Sequence, residues 1–247
     1  PDKCNNMEKI NLFGGWRMKV AKFGGTSLAS AEQIKKVCAI ITSDPERKII
    51  VVSAPGKRFK DDIKVTDMLI ACAKASLEKN DASQELADVI SRYAEIASEL
   101  GLNEEIVNAI ADDLKTRINS DKSNTGRYTD NLKAAGEDNC AKLVAAYLKN
   151  TGVDARYVNP GEAGLLLNDD FGNALVLPES YDNLSKLSSL PGIIIFPSFF
   201  GYSPKGEVVT LPRGGSDITG AILAAAVNAD LYENFTDVDN VYSVDPN

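Results

Sequence analysis

Residues 18–37 read MKVAKFGGTSLASAEQIKKV, and the order of residue types in this stretch decides the fold. From Lys19 to Phe23 a short β-prone block carries valine, alanine and phenylalanine, whereas Leu28, Ala31, Ile34, Val37, Ala39 and Ile41 recur at roughly helical spacing. The stretch therefore predicts a strand, a glycine turn and a helix. Adjacent glycines at such a turn leave backbone N–H groups open to an anion, because no Cβ blocks the approach and the first amides of a helix lack intrahelical partners.

Phosphate is the usual anion at such a place. KFGGTS is neither the Walker loop, which needs Gly-Lys-Ser/Thr after a longer loop, nor the dinucleotide loop G-x-G-x-x-G. Its lysine, Lys22, comes first, on the strand. An ammonium there lies beside whatever the amides hold and suits the charge that develops on a transferred phosphoryl group. Taken alone, the hexapeptide reads equally well as a tight turn with Thr26 or Ser27 as an ordinary N-cap.

Composition narrows the choices. A chain of 247 residues, 44% hydrophobic, can bury the core of one large α/β domain or two modest ones. The net charge of −8 and the absence of a long basic run argue against a nucleic-acid surface, so an anionic ligand needs a local basic pocket. There is no histidine, which removes His-based triads, His metal sites and imidazole acid/base chemistry together. Cys4, Cys38, Cys72 and Cys140 are widely spaced with no C-x-x-C pair, a pattern that favours packing over disulfides or zinc. No apolar run reaches the length of a membrane span, and residues 1–17 lack signal-peptide features, reading instead as a leader or extension before Met18. The expected compartment is cytoplasmic, with no membrane partner.

Downstream, residues 47–56 (RKIIVVSAPG) are a nearly continuous apolar run closed by Pro and Gly, as in a strand covered on both faces and parallel to the first. Ligands at such units gather at the carboxyl ends of the strands, which would make GGTS and SAPG neighbours. Residues 56–64 (GKRFKDDIK) are charged and read as a mobile loop. Helical patterns near 65–77, 82–100 and 104–118 are too many for a simple crossover and predict an inserted helical arm, about residues 65–120. A helix over 131–148, a strand at DARYVNP, a short strand at 175–177, a short helix over 181–189, and a buried strand with a short strand pair in residues 192–217 follow. A small-residue helix, ITGAILAAAVNA, and a last strand, DLYENFTDVD, complete the pattern.

The opening arrangement recurs in TLPRGGSDITGAILA: a strand, Arg213, the glycines Gly214 and Gly215, then Ser216 and Asp217 at a helix start. Two glycine loops with adjoining cations can grip two anionic partners, and an aspartate near the first lysine can orient its ammonium. Between them, Gly136 and Glu137 fall inside a helical stretch, where a glycine costs about 1 kcal/mol relative to alanine and is often tolerated for a close approach. In isolation Glu137 also reads as an ordinary surface glutamate.

Taken in order, KFGGTS, VVSAP, VTDML, AAGED, TLPRGGSD and FTDVDNVYSVDP resemble the catalytic domain of aspartokinases, in the amino acid kinase superfamily, from Met18 to the chain end. The resemblance implies a three-layer α/β/α sandwich with an open, mainly parallel sheet. It implies ATP-dependent phosphorylation of the β-carboxylate of L-aspartate to 4-phospho-L-aspartate, the first step towards lysine, threonine and methionine, with Mg²⁺ accompanying ATP. Carried over by motif, Lys22 is the catalytic cation between the β- and γ-phosphates, with Gly24, Gly25, Thr26 and Ser27 along the phosphate path. Ser53, Thr66, Glu137, Arg213 and Ser216 fall at the aspartate site, and Asp217 is the organising carboxylate. Gly214, Gly215, Thr236, Asp237 and Tyr242 fall on the nucleotide side, and no protein metal ligand is assigned. The full-length protein is expected to be a homo-oligomer.

The chemistry is consistent with that assignment. Aspartate carries an ammonium and two carboxylates, so recognition wants one anion, Glu137, for the amine and one guanidinium, Arg213, to clamp the α-carboxylate. The β-carboxylate, with a reference pKa of about 3.9, is already ionised at neutral pH and needs no base. A histidine-free site therefore suffices.

Three departures stand out. Pro212 replaces a common family glycine, the charged segment 56–64 lengthens the loop beside the substrate pocket, and Asn247 stands where many relatives carry an arginine. Further nucleotide contacts and the regulatory ACT domains are expected beyond Asn247, which predicts a folded domain of reduced activity. The rival readings are a glutamate or acetylglutamate kinase of the same fold, and a catalytically silent binding or assembly domain.

Overall fold

The computed structural model describes residues 17–236. Cys4, Asp237, Tyr242 and Asn247 lie outside them. The elements, in chain order, are β1 (Lys19–Phe23), α1 (Ala31–Thr42), β2 (Arg47–Val52), α2 (Val65–Lys79), α3 (Ser83–Glu99), α4 (Glu104–Ile118), α5 (Thr125–Asn150), β3 (Ala155–Tyr157), α6 (Pro160–Ala163), α7 (Glu179–Ser185), β4 (Ile193–Pro197), β5 (Phe200–Tyr202), β6 (Val208–Thr210), α8 (Gly215–Ala226) and β7 (Leu231–Phe235). Five strands form one sheet in the order β3-β4-β2-β1-β7, every pairing parallel, and β5 and β6 form a separate antiparallel pair.

The near-continuous apolar runs of β1, β2 and β4 reflect burial on both faces, as parallel sheets require. Successive side chains point to opposite faces, and two cores result. On one side Ala21, Phe23, Ile50, Val52 and Ile195 pack with residues of α1 and of α2 to α5; on the other Val20, Ile49, Val51, Ile194 and Phe196 pack with α8, with Leu184 of α7 and with Val209 of β6. This is the three-layer α/β/α arrangement. The inserted helices α2 to α4 share the first core through Leu69, Cys72, Val89, Tyr93, Ile96 and Leu114.

Several local expectations change. Gly25–Leu28 form a 3₁₀ turn, and α1 begins only at Ala31 with Ser30, not Thr26 or Ser27, as its N-cap: Ser30 Oγ accepts from Gln33 N–H (3.4 Å). The reason is the extended backbone of Ser30, which breaks the chain between turn and helix. Helix α5 starts six residues earlier than its apolar periodicity suggests, because Asn124 caps Arg127 N–H (3.0 Å) ahead of a polar first turn. Residues 175–177 contribute only an isolated bridge, Leu167 to Val176. The loop read as mobile is tied down: Arg58 and Arg92 both hold Asp62, at 2.9 and 3.0 Å, and Arg58 also reaches Glu95 (2.8 Å).

Cys38, Cys72 and Cys140 are free and buried, and burial pushes the thiols of Cys38 and Cys72 up to about 12. They are packing residues, not nucleophiles. Among the described residues, no helix is long and apolar enough to cross a membrane.

Candidate active site

All five strands of the main sheet run the same way, so their carboxyl ends share one edge, and the GGTS and SAPG loops meet there. β1 is followed by Gly24, whose N–H donates to Phe235 O of β7 (3.2 Å). On the other side, Gly56 N–H of the SAPG loop donates to Gly25 O (2.8 Å). A Cβ on Gly25 would sit 2.8 Å from Ala54 O, and one on Gly56 would sit 2.6 Å from Gly25 C. Two backbones at that separation admit no side chain, which is the reason for glycine on both sides of the contact. The turn over Gly25–Leu28, carrying Thr26 and Ser27, is presented from this junction.

Lys22 lies on β1 in register with Val51 of β2 and Asn234 of β7, and strand alternation turns it to the α8 face. Its Nζ is 2.8 Å from Asp217 Oδ1 in the first turn of α8. Asn234 Nδ2 donates to the same oxygen (3.1 Å), and Tyr232 O–H donates to the Asp217 backbone carbonyl (3.2 Å). Lys22 is 9% exposed at its side chain and Asp217 53%, so the carboxylate reaches inward from solvent to a cation seated in the sheet. Gly24 follows directly, and a Cβ there would make only ordinary van der Waals contact with Lys22 Nζ and Phe235 O, both at 3.8 Å.

Glu137 comes from α5. At Gly136 the helix presses on the loop after β2 and on α2, where a Cβ would lie 2.8 Å from the Ala54 methyl and 3.2 Å from Leu69 Cδ1, and Tyr93 O–H donates to Gly136 O (2.7 Å). This close approach buries Glu137 beside Ala54. One carboxylate oxygen, Oε2, has no hydrogen-bond partner among the described residues. Burial pushes its pKa up to about 8, opposed by the Ala54 amide that donates to it and by the more distant charges of Lys133 and Lys64. A buried, unpartnered carboxylate oxygen is an acceptor waiting for a donor.

Ser53 follows β2 and is buried, with its N–H donating to Phe23 O (3.3 Å). Thr66 stands in the first turn of α2, where Val65 N–H donates to Pro55 O (3.0 Å). On the far side of β2, Ser198 follows β4; its N–H donates to Val52 O (3.0 Å) and its hydroxyl to Ser216 Oγ of α8 (2.9 Å). Gly214 takes a left-handed φ of 85° as the N-cap of α8, and Gly215 is packed so closely that a Cβ would lie 2.7 Å from Leu211 Cβ. Ser216 and Asp217 are thus first-turn residues, and neither is the cap. Arg213, just before this turn, is exposed. Thr236 follows β7 at the same edge, and Asp237 and Tyr242 lie outside the described residues.

Contacts therefore run without a break from Gly24 and Gly25 through Ala54 and Glu137, and from Val52 through Ser198 and Ser216 to the helix turn that bears Asp217 and returns to Lys22. Sequence reading did not single out Ser198 or Asn234. Ser198 lies in the apolar run IIIFPSFF, where a serine just after a buried strand was the available signal. Asn234 carries no local signal, because its role depends on pairing with β1.

A strand lysine locked by a carboxylate, a tight glycine turn beside it and a buried carboxylate with one unpartnered oxygen thus gather at one sheet edge. The chain belongs to the amino acid kinase family, whose sequence profile matches residues 17–247. Among known proteins it is 58% identical over 229 residues to aspartokinase 3 of Bacillus subtilis, covering 93% of this chain and 50% of that protein. Its structure resembles aspartate kinase of Clostridium acetobutylicum (TM-score 0.80, 36% identity, 93% of this chain and 50% of that one). It equally resembles E. coli aspartokinase III in complex with aspartate and ADP (TM-score 0.80, 28% identity, 93% and 51%). The chain spans about half the length of these relatives.

Proposed function

We propose that residues 18–247 are the catalytic unit of an aspartate kinase, which moves the γ-phosphoryl group of ATP to the β-carboxylate of L-aspartate. The observation that carries this reading is the pairing of two opposite features at one sheet edge: a seated ammonium, Lys22, held by Asp217 (2.8 Å), and the buried, unpartnered oxygen of Glu137. The names of the similar proteins, and the aspartate and ADP in one of them, support the choice of substrates.

In this reading Glu137 accepts the substrate ammonium and Arg213 clamps its α-carboxylate in two-pronged fashion, with Ser53, Thr66 and Ser216 as further polar contacts. The β-carboxylate is left free to attack. Lys22 sits between the β- and γ-phosphates, where charge grows in a loose transition state, and Asp217 with Asn234 fixes its ammonium before the substrates arrive. Gly24, Gly25, Thr26 and Ser27 line the phosphate path. Gly214, Gly215, Thr236, Asp237 and Tyr242 serve the nucleotide.

The described residues contain no cluster of three or more His, Cys, Asp or Glu side chains able to hold a metal ion. Magnesium keeps several waters and is bound mainly through substrate phosphates with one or two carboxylates, and Asp217, half exposed beside Lys22, is a carboxylate that could supply one such contact. Bound there, the ion would supply charge neutralisation for the transferred phosphoryl group. The compartment is proposed to be the cytoplasm, and the intact protein a homo-oligomer.

The test is ADP release from magnesium-ATP by the intact protein with aspartate, glutamate or N-acetylglutamate as acceptor. Aspartate is expected to dominate. Equal or higher turnover on either alternative would reassign the substrate, and no turnover with any of them would leave the silent-domain reading.

A further inference from the structure

Arg92 sits on α3, in the helical insertion, away from every sequence motif, and its side chain is only 3% exposed. It shares the inner face of α3 with the buried Val89, Tyr93 and Ile96. A guanidinium in such a place needs partners for its charge and its N–H groups. Nη1 meets the Asp62 carboxylate at 3.0 Å, and Nη2 donates to two backbone carbonyls, Ala29 O (2.9 Å) and Gly56 O (3.0 Å).

Those two carbonyls belong to two loops of the proposed site, the turn along the phosphate path and the loop that carries Ser53. Ala29 closes the turn that follows Gly24 and Gly25, and Gly56 closes SAPG. The loops already touch in front through Gly56 N–H and Gly25 O (2.8 Å), and Arg92 joins them from behind. Asp62, its ionic partner, is gripped first by Arg58, and that hydrogen bond and then Arg92 hold its carboxyl well below the usual carboxylate range. Arg58 in turn reaches Glu95 of α3 (2.8 Å).

For stability alone, an apolar side chain would fill this space without the desolvation cost of a charge. The planar fork of arginine does what no apolar residue can: it bridges two carbonyls and a carboxylate at fixed angles. We infer that Arg92 is a positioning residue for phosphoryl transfer, and that through it the helical insertion sets the spacing of the β1–α1 and β2–α2 loops. Its catalytic consequence rests on the proposed kinase reading, whereas its hold on the loops is measurable without turnover. Displacing reacting groups by about 1 Å can lower rates by about 100-fold, so loosening these loops reaches the chemistry although Arg92 touches no substrate.

The experiment compares the intact parent protein with Arg92→Met and Arg92→Lys, following amide hydrogen exchange by peptide together with kcat and KM. In Arg92→Met, exchange in peptides covering residues 24–30 and 53–62 is expected to quicken about tenfold or more while β4 and α5 keep the parent rates. kcat is expected to fall about tenfold or more, with KM for aspartate changed less than about threefold, and lysine to recover part of both losses. Should the methionine variant not fold, Arg92→Lys and Asp62→Asn carry the same comparison, with smaller, loop-confined acceleration expected. Loop exchange at parent rates, or acceleration spread evenly over the sheet, would overturn the inference. A parent inactive on aspartate would sink the kinase reading, and the exchange pattern would still decide the role of Arg92.

Discussion

Lys22 Nζ and Asp217 Oδ1 are 2.8 Å apart, joining the first strand to the last described helix across 195 residues of sequence. The lysine is buried and the carboxylate half exposed, so the pair is unequal. Solvent screens Asp217 when its partner is removed, which keeps the contribution of the pair to stability near the exposed-pair range of about 0–1 kcal/mol. Lys22→Met is therefore expected to fold normally while kcat falls by about 100-fold or more. Circular dichroism and steady-state kinetics check this together. Asp217→Asn keeps a side chain near Lys22 but not the charge, and should give a smaller fall. Turnover near the parent level in Lys22→Met would remove the lysine from the reaction.

If Glu137 accepts the substrate ammonium as proposed, aspartate binding should be pH-dependent. Its pKa, about 8 against an ordinary 4.5, leaves it mostly protonated at neutral pH in the free protein. Accepting the substrate ammonium requires the carboxylate, so binding releases a proton. KM for aspartate is expected to fall as pH rises from about 6.5 to about 8, and calorimetry in buffers of different ionisation enthalpy should detect proton release. Glu137→Gln should raise KM and flatten its pH dependence. A pH-independent KM in the parent would contradict the assignment.

The same shift has a stability consequence of fixed sign. A group whose folded pKa lies above its unfolded value stabilises fully below the unfolded value and loses that contribution as pH rises through the folded one. For Glu137 the window runs from 4.5 to about 8, so the Tm of ligand-free protein should decline across it relative to Glu137→Gln. Parallel Tm curves for the two proteins would show that Glu137 does not titrate there.

Arg213 is exposed, and no hydrogen bond or ion pair ties it to the described fold. Replacing it should leave stability within about 0.5 kcal/mol. Arg213→Lys turns a planar fork into a point charge, so KM for aspartate should rise about tenfold or more while KM for ATP changes little. The reverse ordering would place Arg213 on the nucleotide.

Gly136→Ala should be costly for a reason unrelated to helix propensity, which favours alanine. The added methyl would meet the Ala54 methyl at 2.8 Å and Leu69 Cδ1 at 3.2 Å, forcing α5 away from α2 and the loop after β2 and Glu137 out of place. Loss of about 1–3 kcal/mol of stability and a raised KM for aspartate are expected. A more stable, fully active variant would show that the contact yields.

Much of this was legible in the chain. The runs KVAKF and RKIIVV and the glycines after them announced a parallel sheet with loops at one edge, because burial on both faces leaves near-continuous apolar strands. The aspartate of RGGSD was legible as a carboxylate near a loop, and its distance to Lys22 was not, since strand pairing sets that distance. Glu137 could not be told from a surface residue, because its burial comes from the meeting of Gly136 with Ala54, 82 positions away. The loop over residues 56–64 read as mobile from its charges, yet those charges are what anchor it, through an arginine on α3 that local pattern does not connect to it.

The central claim is that this site phosphorylates the side-chain carboxylate of aspartate, and the product tests it most directly. The intact protein, given magnesium-ATP and aspartate in the presence of hydroxylamine, should yield β-aspartyl hydroxamate in step with ADP, and Lys22→Met should yield neither above background. ADP release without hydroxamate, or hydroxamate formed as readily from glutamate as from aspartate, would contradict the account.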